Sequence, residues 1–321
     1  MRRRMGRGLA ALSVLAMLAA ACGSDDDDTT TATTEADGGG GDEGGDEGGD
    51  AVEITAVDYA FEGVPEELTA GTVELSFANE GKVDHELALV EVGDTSLEQF
   101  LKDFPPVLEG GPFPDYAEGV AVPIDRPAGE SGDVTFILSE GTYAMFCTFT
   151  GDASAAAPAE GEEPAEGEPH YALGMAQLVT VAAGEAGELP EADGTITAKD
   201  YSFEPDVEAG DTTINFLNEG PDQVHFAQVS VFPEGTDVAA AEAAWGALMG
   251  ADEANPPPEG TPEPEDVSFS GIYSSGLGAQ FMMPGGFESG RTYVLACFIS
   301  DRAGGPPHAI GQKMYKIFTV E

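Results

Sequence analysis

Four histidines and three cysteines are the whole imidazole and thiol inventory of this 321-residue chain. Cys22 stands apart near the N-terminus, and the other six fall into two sets with the same internal order, each closed by a methionine. The first is His85, Cys147, His170 and Met175; the second is His225, Cys297, His308 and Met314. Two imidazoles and a thiolate in a trigonal plane, with a thioether as a weak axial group, suit an ion that cycles between Cu(I) and Cu(II). The thiol must lose its proton, and a bound metal enforces that. A metal-free reading of the same residues stays open, because cysteine also serves as a small buried hydrophobe and an interior histidine as a satisfied core residue. A disulfide between Cys147 and Cys297 is a further alternative that an oxidising location permits, although equivalent places in two separate units argue against close approach.

The elements that must hold these side chains are strands, in two copies. Forty-three glycines and 22 prolines suit short strands joined by turns. Ile54–Glu62 (ITAVDYAFE) returns as Ile196–Glu204 (ITAKDYSFE), Phe77–Gly81 (FANEG) as Phe216–Gly220 (FLNEG), and Leu178–Val181 as Ile317–Val320. A period of about 140 residues is a duplicated domain rather than a solenoid unit. Val73, Leu75 and Phe77 alternate with polar residues, as do Ile214 and Phe216, which is the period of a half-buried strand. After the Asn-Glu-Gly turn, His85 shares a strand face with Leu87 and Leu89, and His225 with Ala227, Val229 and Val231, so both histidines are expected to point inward.

Each half also carries a short inserted helix. Ser96 to Gln99 has capping-box spacing and opens one through Phe104, which Pro105 and Pro106 stop. The second runs from Val238 to Met249 between Asp237 as N-cap and Gly250, with Trp245 as a packing residue.

The N-terminus has an Arg-rich start, an apolar run from Leu9 to Ala21 and small residues before Cys22. This reads as a secretory signal over residues 1–21, too short for a comfortable membrane span. Leu18 to Gly23 resembles a bacterial lipobox, which implies acylation of Cys22 and tethering to the outer face of the cell membrane; an ordinary signal peptide cut nearby is the alternative. Residues 22–50 are acidic, Gly-rich and almost devoid of apolar side chains, as expected of a disordered stalk. The expected organisation is then 51–183, a polar linker 184–193, and 194–321, with an acidic Ala/Glu/Pro loop from Gly151 to Pro169 inside the first unit.

On these residues the chain resembles the cupredoxins, the blue or type 1 copper proteins, over nearly all of 51–183 and 194–321. The residues that carry the resemblance are the Asn-x-Gly turns before His85 and His225, the Gly-x-Tyr-x-x-x-Cys approach from Gly141 to Cys147, and the spacing of His170 and Met175. The resemblance implies an all-β fold of two tandem Greek-key cupredoxin-like β-sandwiches. It implies His85, His170, Cys147 and Met175 as ligands of one copper and His225, His308, Cys297 and Met314 as ligands of another. The family usually keeps the cysteine and second histidine a few residues apart, whereas 22 residues separate them here in the first copy and ten in the second. His308 and Met314 have one more intervening residue than His170 and Met175, which leaves Gln312 as a conceivable axial donor.

A formal charge of −48 repels phosphate backbones, so nucleic acid is not an expected partner. The sequence carries no nucleophile elbow, phosphate loop or zinc-protease helix, and its histidines leave none over for a separate catalytic copper, so no enzymatic activity is expected. The expectation is an extracytoplasmic, lipid-anchored copper protein that transfers electrons to or from a redox partner protein. A metal-free cell-surface binding module, or a copper-delivery protein in which Met282 and Met283 assist Cu(I) capture, is the alternative.

Overall fold

A computed structural model describes residues 51–151, 167–251 and 255–321. The signal segment 1–21, the lipidation candidate Cys22, the acidic stretch 22–50 and most of the loop between Gly151 and Pro169 lie outside the described residues.

The described chain is mostly β. The first half contributes β1 (Val52–Val57), β2 (Ala60–Glu62), β3 (Glu67–Thr69), β4 (Gly71–Asn79), β5 (His85–Glu91), β6 (Val120–Arg126), β7 (Ser131–Leu138), β8 (Gly141–Phe146) and β9 (Ala176–Ala182). Between β5 and β6 lie the helices α1 (Leu97–Asp103) and α2 (Pro105–Leu108). The second half contributes β10 (Gly194–Lys199), β11 (Ser202–Asp206), β12 (Thr213–Asn218), β13 (Gln228–Val231), helix α3 (Val238–Met249), β14 (Glu265–Phe269), β15 (Ile272–Tyr273), β16 (Gly278–Met282), β17 (Thr292–Ala296), the short helix α4 (His308–Gly311) and β18 (Tyr315–Thr319).

Local sequence explains most of these boundaries. The alternation read in β4 is realised, with Val73, Leu75 and Phe77 buried and Thr72 and Glu74 exposed. The Ser96 side chain accepts from Gln99 N, one half of a capping box, while the Gln99 side chain donates to Asp103 in place of the other half; Asp237 caps α3 by accepting from Ala240 N. Pro105 and Pro106 end α1 and also occupy the first positions of α2, where a missing N–H costs nothing. His85 and His225 are fully buried as expected. The strand following His85 is covered on both faces, not one: its residues are buried from His85 to Val90, and Phe100 and Phe104 from the α1 segment pack on Phe146 of the neighbouring strand.

Three sheets result. One has the order β15-β6-β5-β8-β9-β3, and a smaller one the order β14-β13-β17-β18. The largest runs β11-β10-β12-β16-β7-β4-β1-β2, so the repeated halves join edge to edge where β16 meets β7 at Ala279–Phe136 and Gln280–Thr135. A second join puts Ile272 and Tyr273 of β15 opposite Val122 and Ala121 of β6. Each join removes an exposed strand edge, and one contiguous apolar cluster includes residues of both halves. A satellite cluster lies under α3, where Trp245 packs on Phe298 and Tyr315. The 184–193 segment is laid against the sheet: Thr72 Oγ1 donates to Glu188 O at 2.8 Å and Asn215 Nδ2 to Pro190 O at 2.9 Å. Among the described residues no helix is long and apolar enough to cross a membrane.

Candidate metal centres

Each centre is assembled from one residue before or at the start of an inner strand and from the loop that follows a later one. His85 opens β5, and Cys147 directly follows β8, which pairs with β5 through Ala88–Phe146. The chain then leaves and returns at His170, where three backbone hydrogen bonds close the loop: His170 N to Phe149 O at 2.8 Å, Tyr171 N to Cys147 O at 3.0 Å and Met175 N to His170 O at 2.9 Å. The second half repeats them with His308 N to Ile299 O at 2.8 Å, Ala309 N to Cys297 O at 2.7 Å and Met314 N to His308 O at 3.0 Å. Loops of very different length therefore return their histidine to the same place. In both copies that histidine begins a single helical turn, His170–Leu173 and His308–Gly311, which the sequence reading did not anticipate.

The donors converge. Cys147 Sγ lies 3.4 Å from His170 Nδ1 and 3.9 Å from His85 Nδ1, and the two ring nitrogens are 3.1 Å apart. The centre of that triangle is about 2 Å from every corner, the length of a bond from a transition metal to nitrogen or sulfur. In the second half Cys297 Sγ lies 3.5 Å from His308 Nδ1 and 3.8 Å from His225 Nδ1. All six residues are fully buried. Met175 and Met314 are also fully buried, and their carbonyls accept from the cysteine N–H of each copy at 3.2 Å. Gln312 is exposed and donates to Asp301 Oδ2 at 3.4 Å. Cys147 and Cys297 are free thiols and form no disulfide.

Burial sets the protonation of the donors. Desolvation, helped by the neighbouring His170, lowers His85 to a pKa of about 4, and desolvation with His308 lowers His225 to about 3. His170 and His308 are lowered as well, again first by burial, so all four rings are neutral at pH 7 and have lone pairs to give. Burial pushes the Cys147 thiol up and the Cys297 thiol up to about 12. Neutral donors crowding one point gain little from each other and much from a cation. The donor set fits copper.

Around the donors stands a second layer that the sequence reading missed. The rings of Tyr59 and Tyr201 pack edge-on against His170 and His308, each with centroids 5.2 Å apart. Tyr59 donates to Gly151 O at 3.2 Å, whereas Tyr201 donates to the Asp301 carboxylate at 2.6 Å. Asp301 also accepts from His308 Nε2 at 3.2 Å, which fixes the tautomer and leaves Nδ1 facing the other donors. Burial acts to raise the Asp301 pKa, but Tyr201, His308 and Gln312 outweigh it and hold the carboxyl below its ordinary value. The tyrosines stood in the repeated motif, where an aromatic retained beside the first turn of both copies was the available signal.

Two buried copies of a His/Cys/His group on a mostly β scaffold make this chain cupredoxin-like, and both groups fit cupredoxin-like copper sites. No family model and no curated protein matches the sequence. Among solved structures it is similar to auracyanin A, a "blue" copper protein from Chloroflexus aurantiacus, at 23% identity over 41% of this chain and 98% of that one, with a TM-score of 0.26. It is also similar to a multicopper oxidase at 13% identity over 84% of this chain and 88% of that one, TM-score 0.22. A copper nitrite reductase from Nitrosomonas europaea shows 14% identity over 84% of this chain and 93% of that one, TM-score 0.22. The expectation that the chain has no enzymatic activity is corrected by these findings, because the similar structures include an oxidase and a reductase. The histidine count had excluded only a further imidazole-built copper, and catalysis does not require one.

Proposed function

We propose that this chain is a membrane-anchored copper protein that passes electrons on the extracytoplasmic side of the membrane. In this reading residues 51–183 and 194–321 are tandem Greek-key sandwiches with one centre each. His85, Cys147, His170 and Met175 hold one copper, and His225, Cys297, His308 and Met314 hold the other. Cys22 carries the lipid, the acidic segment 22–50 gives the anchored chain reach, and a redox partner protein exchanges the electron.

The observation that supports this most is the convergence of the same three donor atoms twice, in buried sites whose histidines are neutral. Bound copper supplies a one-electron couple. The chain keeps both imidazole lone pairs inward, excludes water from the donors, and offers Cys147 Sγ the Glu86 N–H at 3.4 Å. The thiol proton must leave when metal binds.

Addition of Cu(II) to the metal-free protein tests the reading. Two equivalents are expected to produce an intense visible thiolate-to-copper band with narrow hyperfine splitting, and Cys147→Ser and Cys297→Ser are each expected to remove one share. A protein that stays colourless, or a band untouched by both substitutions, contradicts it.

A further inference from the structure

The two centres share their inner donors and differ in what meets the second histidine. Four residues after the cysteine stands Gly151 in one copy and Asp301 in the other. The equivalent tyrosines follow that difference, Tyr59 donating to a backbone carbonyl and Tyr201 to a carboxylate. His308 Nε2 donates to the same carboxylate, whereas the buried His170 ring has the Gly151 backbone beside it and no carboxylate bonded to it.

We propose that Asp301 is a positioning residue that makes the two centres unequal, holding the second at a lower reduction potential than the first. The inference rests on the copper reading above. Oxidation adds one positive charge beside His308, and an anion in contact with that ring stabilises the added charge. The bond to Asp301 also makes the imidazole a stronger donor, which favours the cupric state again. In the first copy Asp58 and Asp84 act on His170, and Glu86 on Cys147, only through space; the ring itself meets a glycine carbonyl dipole in place of a bonded carboxylate, so the oxidised state gains less there. A one-electron step within the molecule then runs downhill from the second centre, which is oxidised, to the first, which is reduced.

The full chain carrying Cys147→Ser retains only the second centre, and the chain carrying Cys297→Ser only the first. Redox titration of the visible band is expected to give the lower potential in the Cys147→Ser protein. Adding Asp301→Asn there is expected to raise that potential by at least the equivalent of a tenfold change in the equilibrium, 59 mV for one electron, and Asp301→Glu to restore most of it. Nitrogen chemical shifts of the metal-free protein provide a readout independent of copper: His308 is expected as the Nε2–H tautomer, with that preference weakened by Asp301→Asn. Equal potentials in the two single-centre proteins, no shift on Asp301→Asn, or an Nδ1–H tautomer at His308 overturns the inference. Absence of a visible band in both proteins contradicts the copper reading itself and removes this inference with it.

Discussion

Lys313, directly before Met314, holds φ at 58°, while the matching Gly174 before Met175 holds 117°. The chain must turn left-handed there to bring a buried methionine back toward its cysteine, and only glycine does so without a steric penalty. Lys313→Gly is therefore expected to stabilise the protein by up to about 1 kcal/mol, net of glycine's extra chain entropy. Urea unfolding measures this, and a loss of stability refutes the strain argument. Glu86, beside His85, is buried and accepts from both the backbone N–H and the hydroxyl of Thr148. Burial raises its pKa from 4.5 to about 7 despite those bonds. Its folded-state value thus exceeds its unfolded one, and stability linked to this group declines as pH rises from about 4.5 through 7. Glu86→Gln, which keeps an acceptor for Thr148, is expected to stabilise the metal-free protein by roughly 2–3 kcal/mol at pH 8 and to have little effect at pH 4.5. Equal effects at the two pH values contradict this account.

Elements carry the site to its geometry, and their legibility in the sequence was uneven. Histidine and cysteine are so rare here that two ordered sets stood out at once, and Ser96 and Asp237 marked helix starts through side-chain chemistry that acts within four residues. Asp301 was invisible for the opposite reason, being one of 60 acidic residues. The neighbours of β7 and β6 were equally hidden, because alternation shows which face of a strand is buried and not which strand lies beside it. Arg302 belongs with them. Its guanidinium donates to Ala117 O, Glu118 O and Ser274 Oγ and lies 5.4 Å from the Phe113 ring centre, while Phe113 N donates to Arg302 O at 2.8 Å. The loop that delivers Asp301 and His308 is thus fastened to the opposite half. Arg302→Ala is expected to lower unfolding stability by about 2 kcal/mol, since bonds from a charged donor are lost at once. A change within 0.5 kcal/mol, the range of an ordinary surface substitution, shows that the fastening is dispensable.

At the scale of the whole molecule the repeat has become one joined structure. The β16–β7 and β15–β6 pairings, a shared apolar cluster and the Arg302 contacts all cross between the halves. A protease site inserted at residues 186–187 should therefore cut the covalent link without parting the halves. Gel filtration of the cut protein is expected to show a single species containing both fragments, and separate elution of the fragments contradicts the joined architecture.

The central claim, that each His/Cys/His group gathers around one metal ion, has its most direct measurement in anomalous diffraction from copper-loaded crystals at the copper absorption edge. The account predicts two peaks per chain, one within bonding distance of His85 Nδ1, Cys147 Sγ and His170 Nδ1 and the other of His225 Nδ1, Cys297 Sγ and His308 Nδ1. Peaks confined to surface carboxylates, or no peak at either group in crystals whose protein binds copper in solution, would contradict it.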